Sequence, residues 1–170
     1  LRSGDRIAAR RLAKEAFTLS RAAKDLLQEA QAEILAGLAA GPGDPPARTA
    51  PRPQWTRAER LVRRLGAHYD LHRLLLMRLT EQRLAPAMRR RLAEELLAGT
   101  ARRGHDALFT SAEPERAARA LTATLNEGIA RDRTAALLAA LGGRAVGEVL
   151  QLVDSPEEET RLRAATLLAE

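Results

Sequence analysis

Cysteine is absent from the 170 residues. That excludes a disulfide framework, a thiol nucleophile and every thiolate metal site, the His/Cys zinc fingers included. Aromatic residues are nearly absent as well: only Trp55, Tyr69, Phe17 and Phe109 are available to stack on a base or a sugar. Valine and isoleucine are few beside alanine and leucine, so helix formers dominate the 45% hydrophobic content and a sheet-based enzyme core is excluded. No apolar run reaches the ~18 residues of a membrane span, and no secretory h-region stands at the amino end. A soluble, cytoplasmic chain with no membrane partner is expected.

Signatures of chemistry are missing too. The stretch GPGDPP puts prolines where a phosphate cradle needs free N–H groups. No serine stands in a nucleophile elbow. His68, Asp70, His72, His105, Asp106 and Asp132 invite a metal-hydrolase reading, since His68 and His72 lie one helical turn apart. The sequence HDALF has no supporting context, so surface imidazoles and loop carboxylates are the expectation. The chain reads as non-catalytic, with no cofactor and no metal.

What is present is charge, unevenly placed. The formal net charge is +6, and among the 28 basic residues only Lys14 and Lys24 are lysines. Residues 1–47, 48–104 and 105–170 carry +1, +9 and −4. A basic middle and an acidic end orient the field along the molecule. Arg89, Arg90 and Arg91 with Arg102 and Arg103 are candidate contacts for an anionic partner. Successive helical residues point in different directions and Glu94 and Glu95 offset part of that charge, so a solvated face is favoured.

Residues 1–40 read as one long amphipathic helix. Leu12, Ala16, Leu19, Ala23, Leu26, Ala30 and Ile34 follow each other in steps of three and four. The steps are nearly heptad but the stripe is rich in alanine, which favours a helix packed along a partner over a free dimer zipper. Residues 41–54, GPGDPPARTAPRPQ, hold five of the eight prolines and two glycines and read as a linker. From Trp55 the chain reads as short helices. Thr56 with Glu59 fits a capping box. The helix over 70–83 carries LLLM and is apolar around much of its girth, as a helix buried between neighbours would be. Pro86 opens the next helix, and helices follow near 105–109 and over 115–126.

The end of the chain is the most regular. A helix over 131–141 stops at Gly142-Gly143, and a second sets Val146, Val149, Leu150 and Val153 on one face. Ser155, Pro156 and Glu158 then make a helix start. Residues 90–125 align with residues 132–168 at offsets of 41 to 44, within the period of stacked helix pairs. The last helix still shows Leu162, Ala165, Leu167 and Leu168. An apolar strip that a following repeat would cover is therefore expected, as in a segment of a longer protein.

The AALLAALGG helix end, AVGEVLQLV, and DSPEEETR followed by RAATLLA resemble HEAT-type repeats in their short bacterial form, mainly over residues 131–170. The resemblance implies an all-α fold, a HEAT-like α-solenoid over residues 55–170, incomplete at its C-terminal end. It also implies a ladder along the stack to which Asp154 and Arg161 would contribute. Its functional implication is a non-catalytic scaffold that binds another protein. A second reading is a nucleic-acid-binding helical repeat using the basic segment 48–104, as in the alkylpurine DNA glycosylases, which look like HEAT stacks. A third is the effector-binding and dimerising half of a tetracycline-repressor-type regulator, to which EPERAARALTATLNEG is similar.

Overall fold

The computed structural model describes residues 3–39, 53–81 and 84–169, and every regular element among them is helical. The linker expected over 41–54 lies, up to residue 52, outside the described residues. The chain divides into two compact units, Leu1–Leu74 and Leu75–Glu170.

In the first unit the single expected helix is two helices, α1 (Ser3–Ala22) and α2 (Leu26–Ala39). The break is a Schellman turn: Asp25 N–H donates to the Ser20 carbonyl and Lys24 N–H to the Arg21 carbonyl. Lys24 takes the left-handed position at φ 57°. Asp25 then caps α2, its Oδ1 accepting from the N–H groups of Leu27 and Gln28 at 3.1 and 3.0 Å. The two helices run antiparallel, since Arg10 Nε near the start of α1 donates to the Ala39 carbonyl at the end of α2. α2 also packs against α3 (Pro53–Leu65). This helix starts at Pro53, ahead of the expected capping box: Thr56 is helical and exposed, and Glu59 pairs with Arg63. Ala13, Ala30, Ala32, Ile34, Ala39, Ala58 and Val62 are buried with Trp55. Of the expected stripe, Ala30 and Ile34 are inside, whereas Leu12, Ala16, Leu19 and Ala23 are exposed. Folding back at Lys24 turns α1 so that Ala13 and Ser20 are its buried residues.

α4 (His68–Glu81) follows the Schellman turn at Gly66. It buries Leu71, His72 and every residue from Leu74 to Leu79, as expected of a helix apolar all round. α5 (Pro86–Arg103) runs through Gly99 and stops at Gly104, whose φ of 66° a side chain would resist. A π-helical turn, Leu108–Ala112, buries Leu108 and Phe109 where a short α-helix is expected.

α6 (Pro114–Asn126) packs on that turn, on α7 (Arg131–Leu141) and on α8 (Val146–Val149). Threonines finish this core. Thr100 and Thr124 donate to carbonyls one turn back, and Thr134 donates to the Ile129 carbonyl at 3.0 Å. α8 is a single α-turn between two 3-10 segments, Gly142–Arg144 and Leu150–Leu152. Its buried face is Ala145, Val149 and Leu152. Val149 is inside as expected, but Val146, Leu150 and Val153 face outward, about a quarter turn from the expected face. The 3-10 winding has three residues per turn and so aligns Val149 with Leu152, leaving Leu150 outside. α9 (Glu158–Ala169) buries only Thr160 and Ala164, while Leu162 is exposed.

Candidate functional site

The local geometry of the second unit leaves three apolar side chains in line. Val146, Leu150 and Val153 are 42%, 53% and 42% exposed. Their spacing of four and three places them on one face of α8 and the turn that follows. Gly147 lies beside them with open space where a side chain would stand. The surrounding polar residues, Arg144, Gln151 and Asp154, are all exposed. The three side chains form an apolar strip within a polar margin.

The segment behind this strip is held by charge. Arg131, at the start of α7, pairs with Glu157 and Glu159 at the start of α9. Arg163 bridges Glu159 and Asp132, the latter at 2.8 Å. Arg133 pairs with Asp106. The hydrogen bond from Thr160 holds the Glu157 carboxyl below its ordinary pKa of 4.5, with Arg131 adding to the effect against a smaller opposing desolvation. α9 begins at Glu158, later than the start expected at Ser155 and Pro156; Ser155 is buried, donates to Asn126 Oδ1 at 2.9 Å and accepts the Glu157 N–H, and so ties the entry of α9 to the end of α6.

Arg161 donates to the carbonyls of Ser155 and Pro156 at 2.8 and 3.1 Å. Asp154 is exposed, and no ion pair joins the two. Arg89 pairs with Glu127 at 3.2 Å, and Arg90 pairs with Glu94 and reaches the Glu127 carbonyl. Arg102 donates to the Ala98 carbonyl and Arg103 is exposed. At 1.5 Å per residue the two arginine pairs stand about 20 Å apart along α5, so they do not form one patch. The carboxylates of the metal reading are engaged: Asp70 accepts from Gln31, Asp106 from Arg133 and Asp132 from Arg163. His72 is buried. Among the described residues no three His, Asp or Glu side chains converge on one point.

One cluster in the first unit has no counterpart in the sequence reading. Arg57 on α3 pairs with Glu29 and Glu33 on α2 and lies over the Phe17 ring at 5.2 Å. Both carboxylates are buried. Burial raises the Glu33 pKa above 4.5, Glu29 adds to the rise, and Arg57 only partly opposes it. The i, i+4 spacing of two acidic residues on an otherwise uncharged helix is the signal that marks the pair.

No helix among the described residues is long and apolar enough to cross a membrane. Compared with protein-family models, curated proteins and solved structures, the chain matches none of them.

Proposed function

We propose that residues 75–170 form a HEAT-like helical segment that acts without catalysis, as a docking platform for another protein. The observation that carries the reading is the outward strip of Val146, Leu150 and Val153 beside the bare backbone of Gly147. In a helical repeat one set of helices closes the core and the other set offers side chains to a partner. Burying a leucine side chain on binding contributes roughly 1.5–3 kcal/mol, so Leu150 is the anchor of this surface. A cytoplasmic setting accords with a chain that holds no cysteine. The nucleic-acid reading loses ground, because Arg89 and Arg90 are tied to Glu127 and lie far along α5 from Arg102 and Arg103.

The test compares proteins retained from an extract by the wild-type chain and by Leu150→Asp, followed by binding measurements with the purified partner. The reading requires a partner whose direct binding weakens by more than about tenfold in Leu150→Asp, a loss of at least ~1.4 kcal/mol. Equal binding by both chains would overturn it.

A further inference from the structure

The exposed side of α1 carries a heptad repeat that the fold leaves without a partner. Alanine recurs every seven residues at Ala9, Ala16, Ala23 and Ala30, and leucine at Leu12, Leu19 and Leu26. The α1–α2 turn cuts this seam after Ala23 and takes Ala30 into the core. Its α1 part stays outside: Leu12 is 59% and Leu19 70% exposed, with Ala16 exposed between them. α2 does not compete for the seam, because it covers the neighbouring face at Ala13 and Ser20.

We infer that this chain forms a two-fold dimer in which the α1 seams of two copies pack antiparallel. The occupant follows from the seam itself. With the two-fold axis level with residue 14, Leu12 lies opposite Ala16 of the second copy, and Leu19 opposite Ala9 of the second copy. Every layer then sets one large side chain against one small one, and the alanines let the helices approach closely. Such a surface is complementary to itself, as a two-fold interface must be. The flanking charges agree. Arg11 and Glu15 are an exposed i, i+4 pair along one edge of the seam, 3.8 Å apart. Antiparallel pairing brings the same edge of both helices together, so the two Glu15 carboxylates flank the axis and each is met on its outer side by Arg11 of the other copy. A parallel pairing would instead stack leucine on leucine and alanine on alanine, leaving gaps in alternate layers. This interface belongs to the first unit and goes beyond the docking strip on the second.

The test is sedimentation of the full 170-residue chain. The expected species has twice the 18.5 kDa of one chain. The double variant Leu12→Asp/Leu19→Asp should raise the dissociation constant by at least about a hundredfold, since four leucines leave the interface. Its circular dichroism should not change, because both side chains are exposed in the single chain. Arg11→Glu and Glu15→Arg should each weaken the dimer, and the two together should restore it. Because the chain has no cysteine, a mixture of Leu12→Cys and Ala16→Cys chains should give the mixed disulfide faster than either chain pairs with itself. A wild-type chain that stays monomeric up to about 0.1 mM, an affinity near −5 kcal/mol, would overturn the inference. So would a dimer that the two aspartates leave intact, or faster pairing of Leu12→Cys with itself.

Discussion

The two units build their interiors from alanine and leucine in different proportions. In residues 1–74 alanine recurs in the core, at Ala13, Ala30, Ala32, Ala39 and Ala58, around a single large ring, Trp55. In residues 75–170 leucine outnumbers the buried alanines, Phe109 stands among them, and buried threonines, whose hydroxyls mostly return to the helix backbone, close the core. The difference shows where leucines go when helices lie close. Alanine seams bring α1 and α2 together, and Leu12 and Leu19 are left on the outside. In the second unit leucines have room within, and it is the tight 3-10 winding around α8 that turns Leu150 outward.

The contrast is broken most severely at Trp55. Its ring is fully buried and its Nε1 donates to the Ile34 carbonyl at 3.1 Å. Trp55→Ala should cost about 3–5 kcal/mol and remove hydrogen-exchange protection from α2 and α3. Protection that persisted there would show that the alanine core holds without its ring.

Gly37 comes next. A Cβ at this position would stand 1.9 Å from Trp55 Nε1. Gly37→Ala should therefore destabilise by about 1–3 kcal/mol in chemical denaturation, although alanine is the better helix former. A neutral or stabilising result would mean that the ring has room to move.

Lys24 gives a smaller effect of opposite sign. At the turns after α3, α5 and α6 the left-handed residue is Gly66, Gly104 and Gly128; only the first unit places a lysine in that position. Lys24→Gly should stabilise by about 1 kcal/mol in urea denaturation. A loss of stability would show that the lysine side chain has a role in the turn.

Acid acts with opposite sign on one glutamate in each unit. Glu33 has its pKa raised in the fold, chiefly by burial, so its charged form opposes folding. Its contribution favours folding below the unfolded value of 4.5 and is lost as pH rises through the raised folded pKa. Glu157 has its pKa lowered, first by Thr160, so its contribution is present above 4.5 and is lost as pH falls through the folded pKa. Carboxyl NMR titration should find the Glu33 midpoint above 4.5 and the Glu157 midpoint below it. Midpoints in the reverse order would contradict the geometry around both.

Much of the helical plan was legible in the sequence. Pro86 and Pro114 open α5 and α6 as proline at the first turn does, and the LLLM run of α4 is buried as its pattern implies. The α1–α2 break was not legible, because its left-handed residue is neither glycine nor asparagine, and Asp25 reads equally well as a mid-helix charge. The face of α8 was not legible either, because its residues wind in threes on either side of one α-turn and a 3.6-residue period points to the wrong side. The Arg131–Glu157, Arg133–Asp106 and Arg163–Asp132 pairings join residues 26 to 31 positions apart, and no local pattern encodes them.

The second unit closes its core with Ala145, Val149 and Leu152 and turns Val146, Leu150 and Val153 outward. Urea denaturation of Leu150→Ala and Leu152→Ala, measured side by side, tests it most directly. Leu152, 4% exposed, should cost about 2–5 kcal/mol on truncation, and Leu150 no more than about 0.5. The reverse order, with Leu150→Ala the damaging change, would contradict the account.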